Sequence, residues 1–125
     1  MTHKPLKDSF SPRRLWRSFS CAFRGILLLF SQTPNAVIHA LATIVVILLA
    51  IYFHITAAEW QMLLLCIALV LSLEAVNSAL ETLGDEVTKE YSPLIRNAKD
   101  LAAGAVLIAA FFAVVIGLLI FIPYL

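Results

Sequence analysis

The sequence predicts an all-α membrane protein, with an N-terminal amphipathic surface helix and three transmembrane helices, N-terminus in and C-terminus out. Three observations predict it. Of the 125 residues, 62% are hydrophobic and 14% charged, against about 45–50% and about 25% in soluble domains. The apolar residues gather into three long runs, and all nine basic residues fall on one side of them. The length suits one domain, and a net charge of +1 gives no electrostatic basis for a nucleic-acid partner.

Residues 1–11 read as a flexible N-terminus, ahead of a single domain over 12–124. Basic residues spread through the first 24 positions, without a small-residue cleavage site, read as mature protein rather than a signal peptide. A helix is expected over about 12–31. At 100° per residue, Arg13, Arg17 and Arg24 share a narrow arc, while Leu15, Trp16, Phe19, Phe23, Ile26 and Phe30 share the opposite one. Ser11 offers an N-cap and Pro12 sits in the first turn, where its missing N–H costs nothing. Such a helix lies in the interface with its arginines toward phosphates. Those phosphates belong either to anionic head groups or to a phosphorylated substrate.

Spans are expected at about 36–55, 60–83 and 101–122. Each has roughly the 20 residues that a hydrocarbon core of about 30 Å demands. Lys4, Lys7, Arg13, Arg14, Arg17 and Arg24 precede the first span, and Lys89, Arg96 and Lys99 lie between the second and third. The loop at 56–59 and the tail after Pro123 carry neither Lys nor Arg. The positive-inside rule makes the basic side cytoplasmic. Cys21 and Cys66 do not form a metal spacing, and their separation in depth disfavours a disulfide. His54 has no evident partner near the outer face.

The second span carries the chemistry. Glu74, Asn77, Glu81 and Asp85 are spaced three, four and four apart, on one helical face about 80° wide with Ser78 at its edge. Helix–helix hydrogen bonding accounts for Asn77 and Ser78. It does not account for carboxylates at membrane depth, where Asp, Lys and Arg cost roughly 2.5–3.5 kcal/mol at a span centre; these need a metal ion, a proton or a cation as partner. The carboxylates can hold a divalent ion through oxygen, or one can be a general base. With nearby cations those are the parts of phosphoryl transfer; a proton or cation relay uses the same parts.

Between the last two spans, Ser92 followed by Pro93 is a helix start. It places Lys99 and Asp100 opposite the polar stripe, either as a snorkelling pair or as a phosphate-binding lysine with its orienting acid. Ala102, Ala103, Gly104, Ala105, Ala109 and Ala110 suit close helix packing. No G-x-x-x-x-G-K-[ST] loop, G-x-G-x-x-G turn or kinase catalytic-loop signature occurs. Any nucleotide is therefore held by other means.

The segment Glu74-Ala-Val-Asn-Ser-Ala-Leu-Glu-Thr-Leu-Gly-Asp85, followed by Ala98-Lys-Asp-Leu-Ala-Ala-Gly-Ala-Val106, resembles the signature of the prokaryotic diacylglycerol kinases, which include the undecaprenol kinases. The resemblance runs from about Arg14 to Pro123. It implies a bacterial inner- or plasma-membrane homotrimer with active sites shared between subunits at the cytoplasmic face. It further implies transfer of the γ-phosphoryl of magnesium-bound ATP to a lipid hydroxyl, on diacylglycerol or undecaprenol. By motif position, Glu74 would be the general base and Asn77 an orienting group. Glu81 would bind Mg²⁺, Lys99 and Asp100 would contact the nucleotide, and Asp85 and Arg14 would line its site. The chain departs from the pattern at Thr33-Pro-Asn-Ala-Val-Ile-His39. Thr33 stands where the family carries a metal-binding glutamate, and Val37 replaces the usual basic residue. That departure makes a non-catalytic lipid- or cation-binding protein of the same fold the alternative. His39 reads as a satisfied interfacial histidine.

Overall fold

The computed structural model describes residues 11–125; most of the expected flexible N-terminus, residues 1–10, lies outside them. Four helices follow in order: α1 (Pro12–Gln32), α2 (Pro34–Phe53), α3 (Ala57–Val87) and α4 (Pro93–Phe121), closed by a 3₁₀ turn at Ile122–Tyr124. Among the described residues α2, α3 and the last helix with its closing turn are long and apolar enough to cross a membrane. The chain is a multi-pass membrane protein.

The helix starts follow from local chemistry. Ser11 Oγ accepts from the Arg14 N–H at 3.1 Å, and Ser92 Oγ accepts from the Ile95 N–H at 3.4 Å, each with proline next in the chain. At α3, Thr56 Oγ1 accepts from the Glu59 N–H at 3.2 Å while the Thr56 N–H donates to Glu59 Oε1 at 3.1 Å. This is a reciprocal capping box, which satisfies two otherwise orphaned donors.

His54 explains how α2 stops. It adopts the left-handed conformation at φ 51° and ψ 52°. Its N–H donates to Ile51 O and the Ile55 N–H donates to Ala50 O, both at 3.3 Å. That is a Schellman closure, ending the helix short of residue 55. Ile55 and Ala50 are both buried beside it. The role of His54 is thus in the backbone.

The core sits at the α2–α3 loop end. Ala50, Ile55, Leu63 and Ile120 are buried there, with Phe53, Trp60, Phe121 and Tyr124 packed around them. The Phe53 ring lies 5.8 Å from that of Tyr124 and 6.4 Å from that of Phe121. The Tyr124 hydroxyl donates to Glu59 Oε1 at 2.6 Å, tying the end of the chain to the start of α3. α3 and α4 pack extensively on each other, and α2 and α1 pack more lightly on α3. Only Leu29 of α1 is buried. Leu15, Trp16, Phe19, Phe23 and Ile26 stay exposed, so the apolar face of α1 is left for a surface outside its own chain.

Length places the chemistry. At 1.5 Å per residue the 31 residues of α3 run roughly 46 Å, well beyond a hydrocarbon core of about 30 Å. The last turns of α3, with Glu81 and Asp85, therefore project past the apolar layer.

Candidate functional site

The stripe on α3 divides by burial. Glu74 and Asn77 are buried, Glu74 to 1% exposure, while Glu81 and Asp85 are exposed. Within the deep pair, Glu74 Oε1 and Asn77 Oδ1 have no hydrogen-bond partner. A buried acceptor left unpaired costs about 1–3 kcal/mol, more for a charged group. Two such atoms one turn apart suit a donor that is not part of this chain.

The other oxygen of Glu74 faces a residue of another helix. His39 Nε2, on α2, lies 3.8 Å from Glu74 Oε2. The Thr43 hydroxyl bonds the His39 carbonyl at 2.7 Å, one turn further along α2. His39 also caps an apolar cavity of about 440 Å³ between α2, α3 and α4, lined by Val46, Cys66, Val70, Gly117 and Phe121 among others. Reading His39 as an interfacial histidine misses this contact. The signal was available in its apolar surroundings, which leave an imidazole few partners except a carboxylate.

Thr33 joins α1 to α2, and its hydroxyl meets Ser78 Oγ at 3.1 Å. The position thus does face the stripe, but its oxygen is engaged by a neutral partner. The Thr82 hydroxyl donates back to Ser78 O at 2.9 Å. Among the described residues no three His, Cys, Asp or Glu side chains converge to hold a metal ion. The oxygen donors present fit one magnesium ion, which keeps several waters and takes one or two carboxylates plus substrate phosphates. Glu81 is exposed and makes no hydrogen bond or ion pair among the described residues, so it is open for that role. A second ion lacks a ligand where Thr33 stands.

Across from the shallow pair, Lys99 on α4 reaches Asp85 and pairs with it. The stem of Lys99 crosses Gly84. A Cβ there would sit 3.0 Å from Lys99 Cε and 3.1 Å from Ile95 Cγ2, so glycine permits the approach of α3 and α4. Asp85 and Lys99 line a cavity of about 550 Å³ with Lys89, Tyr91 and Arg96 in the α3–α4 loop and the first turn of α4.

Asp100 does not join Lys99 at Asp85. It turns to Arg96, 3.5 Å away, and is two-thirds exposed. It borders a different groove with Asn97, Gly104 and Ala105. Neighbouring residues on a helix point about 100° apart, and here Lys99 meets Asp85 on the stripe while Asp100 meets Arg96. Arg14 stands exposed in the first turn of α1. The small residues of α4 divide likewise: Ala109 is buried and Ala110 lines the apolar cavity, whereas Gly104 and Ala105 lie with Asp100. Cys21 and Cys66 are free thiols.

Comparison with known proteins places the chain in a family. The profile described as Prokaryotic diacylglycerol kinase matches residues 20–121. The undecaprenol kinase of Bacillus subtilis is 38% identical over 110 residues, covering 88% of this chain and 89% of that protein. The diacylglycerol kinase of Synechocystis is 39% identical over 107 residues, 85% of this chain but 61% of its own length. That of Escherichia coli is 34% identical over 74 residues, 59% of this chain and 61% of the enzyme. The chain, with its three apolar helices and its carboxylate stripe, belongs to the prokaryotic diacylglycerol kinase family.

Proposed function

We propose that the protein is a lipid kinase that transfers the γ-phosphoryl group of magnesium-bound ATP to the hydroxyl of a membrane lipid, diacylglycerol or undecaprenol. The observation that carries this reading is the deep pair on α3. Glu74 is buried and its Oε1 is unpaired, with Asn77 Oδ1 unpaired one turn away. Glu74 is the general base. Its Oε1 takes the proton of the lipid hydroxyl, whose oxygen forms a bond to the γ-phosphorus as the bond to the bridging β-phosphate oxygen breaks, and ADP leaves. Asn77 orients the hydroxyl or the phosphoryl group. The apolar cavity below His39 supports an acceptor with a hydrocarbon tail.

The shallow half of the site serves the nucleotide. Glu81 would hold a magnesium ion, which when bound neutralises phosphate charge and polarises the transferring group. Lys99, held over Gly84 beside Asp85, supplies positive charge to the transferring phosphates, and Arg14 adds to it. Asp100 pairs with Arg96 and borders a groove separate from the Asp85–Lys99 cavity, which supports active sites shared between copies in a homotrimer, Asp100 serving a neighbour's nucleotide. The basic end, with Lys89, Arg96 and Lys99, faces the cytoplasm of a bacterial plasma membrane by the positive-inside rule, where ATP is present.

Labelled-ATP transfer in reconstituted protein, with undecaprenol and diacylglycerol as acceptors and with or without Mg²⁺, tests the reading. Product is expected on at least one lipid and only with Mg²⁺, and Glu74→Gln abolishes it. Full turnover by Glu74→Gln would remove the base assignment. One observation favours the non-catalytic alternative: the Thr33 hydroxyl is engaged by Ser78 where the family carries a metal-binding carboxylate. That alternative expects no lipid phosphorylation in the parent or in Thr33→Glu.

A further inference from the structure

We infer that His39 is a positioning residue for the base: it holds Oε2 of Glu74 so that Oε1 stays aimed at the acceptor hydroxyl. The inference rests on the reading of Glu74 as the general base. It starts from an asymmetry within one carboxylate. Glu74 Oε2 faces His39 Nε2 at 3.8 Å, while Oε1 is buried without a partner. A carboxylate on a freely rotating side chain presents either oxygen. One with a donor on a single side presents the other to substrate, and a base must lie within hydrogen-bond reach of the proton it takes.

The surroundings of His39 suit that task. The imidazole comes from α2, a different helix from the base. Its backbone carbonyl is bonded by Thr43, and the apolar cavity beneath it offers the ring few competing acceptors. The separation of 3.8 Å is longer than a hydrogen bond. Catalytic hydrogen bonds are often long before substrate binds and tighten in the complex. The reaction stays balanced without His39 gaining or losing a proton. In the substrate complex its Nε2–H donates to Oε2, while the proton of the lipid hydroxyl passes to Oε1.

The test uses side chains of different reach. An Asn amide nitrogen falls near the position of Nδ1 and a Gln amide nitrogen near that of Nε2, so only Gln replaces the donor. Full-length protein in lipid is assayed with labelled ATP and with undecaprenol or diacylglycerol, and thermal unfolding is followed in parallel. His39→Ala and His39→Asn are expected to lower kcat roughly tenfold or more, with KM for lipid and for MgATP within twofold of the parent. His39→Gln recovers most of the loss. His39→Ala combined with Glu74→Gln is no slower than Glu74→Gln alone, because a held base that is already removed has nothing further to lose. Equal rates for the Asn and Gln variants, an unchanged kcat in His39→Ala, or a double variant slower than Glu74→Gln each overturn the inference. Full turnover by Glu74→Gln removes the base and this role together. An inactive Glu74→Gln beside a fully active His39→Ala removes only the role of His39.

Discussion

Replacing Gly84 by alanine separates packing from nucleotide handling. The new Cβ would sit 3.1 Å from Ile95 Cγ2 and 3.0 Å from Lys99 Cε. The branched Ile95 sits on the facing helix and gives little, and overpacking of this kind costs about 1–3 kcal/mol. Against that, alanine in a helix interior gains about 1 kcal/mol over glycine. The balance is a net loss of about 0–2 kcal/mol. The stem of Lys99 is what moves. A charge-assisted hydrogen bond contributes about 1.5–3 kcal/mol, so Lys99→Met should raise KM for MgATP roughly 10- to 100-fold. Gly84→Ala displaces Lys99 without removing it, and should raise the same KM by less than about tenfold. Initial rates over a range of MgATP, with thermal unfolding of the same samples, measure both quantities. A large drop in unfolding temperature with an unchanged KM would show that Gly84 serves packing alone and that Lys99 does not depend on it.

Two further substitutions test other links. Thr33→Glu gives up the 3.1 Å contact with Ser78, at about 1 kcal/mol of stability, and returns a carboxylate beside the stripe. The Mg²⁺ concentration for half-maximal lipid phosphorylation should fall, and an unchanged Mg²⁺ dependence would count against a metal site on this face. His54→Gly relieves a left-handed residue at φ 51°, a conformation that costs an L-residue roughly 1–2 kcal/mol. After the entropic cost of glycine, detergent-solubilised protein should gain about 0.5–1 kcal/mol in thermal unfolding. A loss would mean that the imidazole makes a contact of its own.

Much of the architecture is legible along the chain because it depends on near neighbours. Ser11 with Pro12 and Ser92 with Pro93 announce helix starts within three residues, and three apolar runs announce three spans. The spacing of Glu74, Asn77, Glu81 and Asp85 announces one face. Thr56-Ala-Ala-Glu59 carries the capping-box pattern equally openly. Considering its loop only for missing basic residues passes over a helix start and the anchor for Tyr124. Other features need three dimensions. The contact of His39 with Glu74 joins residues on separate helices. The value of Gly84 depends on what crosses it from α4. Asp100 lies between these cases: its adjacency to Lys99 invites a shared role, and the 100° step between them gives it Arg96 as its partner instead of Asp85.

On the proposed reading, the graded burial of the stripe lets lipid and nucleotide meet on one helix without one carboxylate serving both. Glu74 and Asp85 are eleven positions apart, roughly 16 Å along the axis, and the change from buried to exposed falls between Asn77 and Glu81. A hydroxyl on a hydrocarbon-tailed acceptor stays near the apolar layer, so its base has to be there, buried and held by a partner that adds no negative charge. A triphosphate carries its charge in water, so the residues that meet it belong beyond that layer. The 31-residue α3, longer than any bilayer core requires, supplies both depths in one rigid element. Shortening it by a turn would draw Asp85 and its partner Lys99 toward the apolar layer, where an ion pair loses more hydration than it regains. The rigid core sits instead at the far end, around Ala50, Ile55, Leu63 and Ile120. α1 and α2 pack more lightly on α3 than α4 does, which on the proposed reading leaves room for two substrates to approach from different phases.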